Sequence, residues 1–133
     1  MDSAEIVGVA GVEKTFDGQL QDPTYSKNPL KLTIDLSIQA AVEHVLEGGM
    51  RLLNAKGAAA ILMEVETGRI ISLASLPDFD PNHRPKLPSR GSAAESPLFN
   101  KAIQGVYELG STFKIFTVAQ ALELGLVDPK TKI

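Results

Sequence analysis

A chain of 133 residues that is 44% apolar, has a net charge of −3 and contains neither cysteine nor tryptophan can bury one core and has the composition of a globular domain. The slightly acidic balance with no basic run gives no support for nucleic-acid binding, and the lack of cysteine excludes disulfides and thiolate metal sites without fixing the compartment. No apolar run approaches the roughly 18 residues needed to span a bilayer, no signal peptide is visible, and His44 and His83 lack any metal-ligand spacing.

Residues 1–29 read as a peripheral lead-in. Val12, Phe16 and Leu20 recur at helical spacing, which predicts a short amphipathic helix weakened by Gly18. A turn-rich linker follows from Gln21 to Pro29. Leu30, Leu32 and Ile34 then alternate with Lys31, Thr33 and Asp35, the pattern of a half-buried strand.

Asp35 or Ser37 can cap the next helix, whose apolar stripe is Ile38, Ala41, Val42, Val45, Leu46, Leu52 and Leu53. Such a stripe packs on a core. Gly48-Gly49 weakens the helix and suggests a kink or a close helix approach, and Asn54 to Gly57 ends it. Ala58 to Val65 reads as a buried strand, Glu66-Thr67-Gly68 as a turn and Arg69 to Leu76 as the returning strand of a β-hairpin. Residues 77–97 hold five prolines and form a long loop, a kind of segment that is often functional. Leu98 to Gly105 adds a helical turn or two. The order strand, helix, hairpin, loop, helix predicts an α+β fold with helices packed on an antiparallel sheet.

The last segment carries the chemistry. Gly110-Ser111-Thr112-Phe113-Lys114 opens an apolar helix that runs to Leu124, with Gly125 placed for a left-handed cap. Residues three apart share a helix face, so the Lys114 amine can reach back toward the Ser111 hydroxyl. A serine hydroxyl is a poor nucleophile until its proton is removed. The helix start favours developing negative charge, and burial of Lys114 among Phe113, Ile115 and Phe116 would lower its pKa enough for it to serve as a base. The chemistry suggested is acyl transfer through a serine ester, with Ser111 and Lys114 catalytic and no cofactor. The bland alternative is a helix N-terminal serine beside a snorkelling lysine, which chance alone supplies often.

The surroundings decide between these. Gly8-Val9-Ala10-Gly11-Val12-Glu13 with Phe16-Asp17, Leu32-Thr33-Ile34-Asp35 with Gln39, Glu66-Thr67-Gly68-Arg69-Ile70, and Leu76 to Asn82 occur in that order. Asn100-Lys101-Ala102 and Tyr107 to Lys114 complete the series. Together they resemble the class B penicillin-binding proteins, and in particular their division-specific septal D,D-transpeptidase branch. Leu109 departs from the proline common in that family, a change to the turn rather than to the nucleophile.

The resemblance implies a mechanism and a setting. Ser111 would attack the penultimate D-alanine carbonyl of a peptidoglycan stem peptide, and Lys114 would relay the proton. A neighbouring stem's amine would resolve the acyl-enzyme, and β-lactams would acylate Ser111. It further implies a membrane-anchored parent on the periplasmic side of the bacterial inner membrane, in contact with other division proteins.

Serine–lysine enzymes of this kind use S-x-x-K, then S-x-N, then K-T-G. Only the first is convincing here. Ser26-Lys27-Asn28 precedes the nucleophile and reads as a decoy, and Lys130-Thr131-Lys132 lacks the glycine. Residues 1–29 are therefore expected to be a lead-in and residues 30–133 the N-terminal part of an incomplete transpeptidase domain, itself inactive. Its uncovered strand edges and apolar surface predict self-association or marginal stability, against which a monodisperse monomer by light scattering with a high melting temperature would count. A penicillin-sensing or division-complex interaction module is the competing class. Gly105 to Thr112 also fits a phosphate-binding loop in spacing, but Ser111 stands where the lysine is required and Glu108 would repel phosphate.

Overall fold

The computed structural model describes residues 7–25, 27–86 and 92–132. Ser26 of the Ser26-Lys27-Asn28 match and residues 87–91 of the long loop lie outside the described residues. The elements are α1 (Gly11–Thr15), α2 (Asp17–Gln21), α3 (Leu36–Leu53), β1 (Ala58–Met63), β2 (Ile70–Leu76) and α4 (Lys114–Glu123), with short 3-10 turns between them. The architecture is α+β: α3 packs on an antiparallel β1–β2 hairpin.

The lead-in helix is broken in two. Phe16 leaves the helical region at ψ 16°, and the Asp17 carboxylate takes the Gly8 N–H at 2.7 Å, folding the chain back on itself. The apolar stripe Val12, Phe16, Leu20 stays exposed.

Leu30 to Ile34 does not form a strand. It runs alongside β2 and is tied to it at two points, Thr33 Oγ1 to the Ile70 carbonyl at 2.6 Å and Asp35 N to the Ile71 carbonyl at 2.9 Å. The ladder stops because the chain turns into α3 at once. Asp35, and not Ser37, is the cap: its carboxylate accepts the N–H groups of Ser37 and Ile38 at 2.9 and 3.0 Å. Asp35→Ala should cost the chain about 1 kcal/mol, read as a lowered urea midpoint with unchanged slope.

α3 runs through Gly48-Gly49 without interruption, and no neighbouring atom lies within 4 Å of a Cβ built at either glycine, so the expected close approach is absent there. The helix ends at Asn54, which takes the left-handed conformation at φ 50°, while Ala55 N bonds back to the Met50 carbonyl. Asparagine tolerates that conformation better than most residues.

The hairpin register pairs Ala58 with Leu76, Ala60 with Ala74 and Leu62 with Ser72, and slips between Leu62 and Met63. One face of β2 is buried through Ser72, Ala74 and Leu76, the two-residue alternation expected of a strand with one covered face. The side chains under α3 are small, with Ala60 lying in a groove beside Ile38, Ala41, Val42 and Val45. β1 was expected to be buried and is not: Ile61, Leu62 and Met63 are each about half exposed. Only β2 pairs with β1 among the described residues, so its second edge and outer face carry no cover. The same holds at the end of α3, where Leu52 and Leu53 are exposed.

Gln39 closes the outer edge of β2. Its Nε2 donates to the Leu73 carbonyl at 3.0 Å, and its Oε1 accepts from Leu73 N at 2.9 Å and Ser72 Oγ at 2.8 Å. One side-chain amide thus does for Leu73 what a neighbouring strand's peptide would do. Nε2 also reaches Glu43 Oε1 at 2.6 Å, one turn further along α3.

Candidate active site

Leu76 to Asn82 leaves β2 and makes a tight, self-bonded turn. Asp80 caps it by accepting the Asn82 N–H at 2.8 Å, and Pro81 fills the first position, where an N–H would find no partner. Asp80 also meets His83 Nδ1 at 2.7 Å, and this bond, followed by that from Asn82 N, holds its carboxyl below the usual aspartate range. Across the molecule Lys56 and Glu95 pair at 2.7 Å, a bond that lowers the Glu95 carboxyl and raises the Lys56 amine. Both partners are exposed, so the pair contributes little to stability.

The chain then returns to the hairpin. Lys101 N donates to Ser75 Oγ at 2.9 Å, and Asn100 to Gln104 form the expected helical turn. Tyr107 Oη donates to the Lys101 carbonyl at 3.0 Å. Gly110 takes φ 54° and starts the 3-10 turn Gly110–Phe113, which holds Ser111 and leads directly into α4. Leu109, the departure from proline, has φ −70°, the value a proline ring would fix, which is why the turn forms without one. At the far end Gly125 adopts φ 65°, and Leu126 N and Gly125 N bond back to the carbonyls of Ala121 and Leu122. This is the left-handed cap expected from the sequence.

Ser111 lies in the 3-10 turn and Lys114 is the first residue of α4, whose backbone N–H bonds to the Ser111 carbonyl. Consecutive turns of one helical segment therefore carry both residues, but no hydrogen bond joins their side chains among the described residues, and both are exposed. The burial of Lys114 anticipated from its apolar neighbours is not found. Phe113, Ile115 and Phe116 are themselves 57%, 66% and 57% exposed, and the rings of Phe113 and Phe116 meet with centroids 5.2 Å apart. Among the described helices, strands and 3-10 turns, α4 packs only on its own 3-10 turn, and the exposed Lys114 has no other element set against it.

Two clefts lie elsewhere. One of about 650 Å³ is bounded by Gln39, Glu43, Leu73, Asp78, Arg84 and Asn100, and one of about 410 Å³ by Lys56, Phe99, Lys101 and Tyr107. Neither includes Ser111 or Lys114. No cluster of three His, Cys, Asp or Glu side chains suited to a metal ion occurs among the described residues. Lys130-Thr131-Lys132 sits in a turn closed by Asp128, whose N–H bonds to Thr131 Oγ1 at 3.0 Å, and not in a strand.

The penicillin binding protein transpeptidase domain matches residues 58–133, from β1 through the serine–lysine helix. The chain belongs to this family. A probable peptidoglycan D,D-transpeptidase FtsI of Caulobacter vibrioides is 38% identical over 120 residues, which is 90% of this chain and 19% of that protein. The FtsI of Buchnera aphidicola subsp. Baizongia pistaciae is 32% identical over 95% of this chain and 25% of its own length. The peptidoglycan D,D-transpeptidase MrdA of Acinetobacter baumannii is 29% identical over 96% of this chain and 22% of its own. The chain thus spans between about a fifth and a quarter of these relatives. Within the penicillin-binding transpeptidase family, the structure assembles the hairpin and the serine-bearing turn but leaves the serine–lysine pair unwalled. What sequence reading passed over is the bonding of Gln39, Lys101 and Tyr107. Their spacing is ordinary, and nothing in the sequence says which backbone groups they meet.

Proposed function

We propose that these residues form part of a peptidoglycan D,D-transpeptidase in which Ser111 is the nucleophile and Lys114 its proton relay. The supporting observation is the S-x-x-K tetrad placed at the start of α4 inside the segment that matches the transpeptidase family. Ser111 Oγ bonds to the penultimate D-alanine carbonyl while Lys114 takes its proton. The bond to the terminal D-alanine breaks, and the proton passes to that leaving amine. An amine from a neighbouring stem peptide then attacks the ester, forms the crosslink and returns the hydroxyl to Ser111. A β-lactam enters the first step and leaves a slowly hydrolysed ester.

Residues 30–57 belong to the same unit in this reading, since Asp35 and Gln39 bond directly to β2, and residues 1–29 form the lead-in. The protein works in septal wall synthesis outside the cytoplasmic membrane, beside other division proteins. The described residues contain no helix long and apolar enough to cross a membrane. The test is D-alanine release from a pentapeptide substrate by a longer protein that carries these residues, with Ser111→Ala alongside. Release that disappears in Ser111→Ala supports the enzyme. Penicillin acylation without any release would instead favour a sensor.

A further inference from the structure

Lys101 is the only buried charged residue among the described residues, at 7% exposure. Each of its polar groups is engaged, and each partner lies on a different segment. Its N–H is held by Ser75 of β2 at 2.9 Å, its ammonium reaches the Ser96 carbonyl at 3.4 Å, and its carbonyl receives the Tyr107 hydroxyl at 3.0 Å. Two glycines leave the space for this arrangement. A Cβ at Gly57 would lie 2.5 Å from Lys101 Cε and 2.9 Å from the Leu76 carbonyl oxygen, so the lysine stem can cross the start of β1 only where no side chain stands. A Cβ at Gly105 would lie 2.3 Å from Tyr107 Oη and 2.5 Å from the Lys101 carbonyl oxygen.

Tyr107 is also the last tie before the nucleophile. Among the described residues no hydrogen bond joins residues 108–132 to the chain before Tyr107. The hydrogen-bonded path from the hairpin toward Ser111 among the described residues therefore runs through the Lys101 carbonyl and Tyr107, four residues upstream. We propose that Lys101 and Tyr107 are a positioning pair that sets where the Gly110–Ser111 turn stands relative to β1 and β2. This rests on the reading of Ser111 as the acylated nucleophile. Tyr107 is 60% exposed, so its ring adds little to the core and the hydroxyl is the part that matters.

The experiment uses a longer transpeptidase containing these residues and a fluorescent penicillin, with binding and acylation separated by single-turnover kinetics over a range of penicillin concentrations. Tyr107→Phe should slow acylation about 10-fold, as a misplaced nucleophile does, while penicillin affinity and melting temperature stay at the unsubstituted values. Tyr107→Leu, which removes the same hydroxyl without pressing on the Lys101 backbone, should give the same split and serves if Tyr107→Phe folds poorly. Acylation at the full rate in both variants would overturn the proposal. So would a rate that falls only together with affinity and melting temperature, the mark of a merely structural tie. Ser111→Ala separates the premise from the proposal: a label that survives this substitution removes Ser111 as the nucleophile, whatever Tyr107 does.

Discussion

Incubated with penicillin, the 133-residue chain alone gains no stoichiometric covalent mass, whereas a longer transpeptidase carrying the same residues gains one adduct that Ser111→Ala abolishes. The first half of this expectation follows from the state of the site. Ser111 and Lys114 are exposed, no hydrogen bond joins them, and the flanking phenylalanines face water. Nothing holds the Lys114 amine against the Ser111 hydroxyl or shuts water out between them, so the pair is not set up for proton transfer. In the proposed reading the Ser111 N–H is one donor to the developing oxyanion and a K-T-G strand would bring another, and loss of a single such donor costs about 10²–10³ in rate. Neither an S-x-N following the nucleophile nor a K-T-G is present to add to it. Intact-mass analysis reads the result directly. A stoichiometric adduct on the folded chain, absent in Ser111→Ala, would mean that the pair is preorganised without those two motifs.

Gln39→Ala is expected to be the most damaging single truncation outside the site, by about 2–4 kcal/mol. The substitution strips partners from the Leu73 N–H, the Leu73 carbonyl and the Ser72 hydroxyl together, and Ser72 is fully buried. A buried polar group left unpaired costs about 1–3 kcal/mol, and partial access of water to Leu73 keeps the sum below three full penalties. Gln39→Glu keeps an acceptor for Leu73 N and Ser72 but sets a carboxylate against the Leu73 carbonyl and Glu43, so it should recover only part of the loss. Urea unfolding gives the magnitude, and hydrogen exchange gives the place, since the Leu73 amide should lose its protection first. A loss below about 0.5 kcal/mol, with Leu73 still protected, would show that the edge of β2 is held by something other than Gln39.

The sequence by itself determined what depends on neighbours along the chain. The hairpin, a cap on α3 at Asp35 or Ser37, the end of that helix at Asn54 and the left-handed cap at Gly125 all rest on local contacts among a few consecutive residues. The ordered motifs also identified the family, because spacing along a chain survives when identity falls to about a third. Only the tertiary structure could decide burial. Periodicity reports which residues are able to be covered, not whether a covering surface is there, and so much of β1, the end of α3 and most of α4 carry apolar side chains that are exposed. Leu30 to Ile34 has the alternation of a strand, yet among the described residues only Thr33 within it and Asp35 just after it bond to β2 before the helix claims the chain. Lys101 shows the converse. A charged residue in a short helical turn gives no sign of burial in sequence, but the bare backbone at Gly57 and the carbonyl of Ser96 bury it. Whether Lys114 acts as a base is a matter of the same kind: its sequence neighbours are apolar, but desolvation comes from whatever packs across the helix, and that is decided in three dimensions.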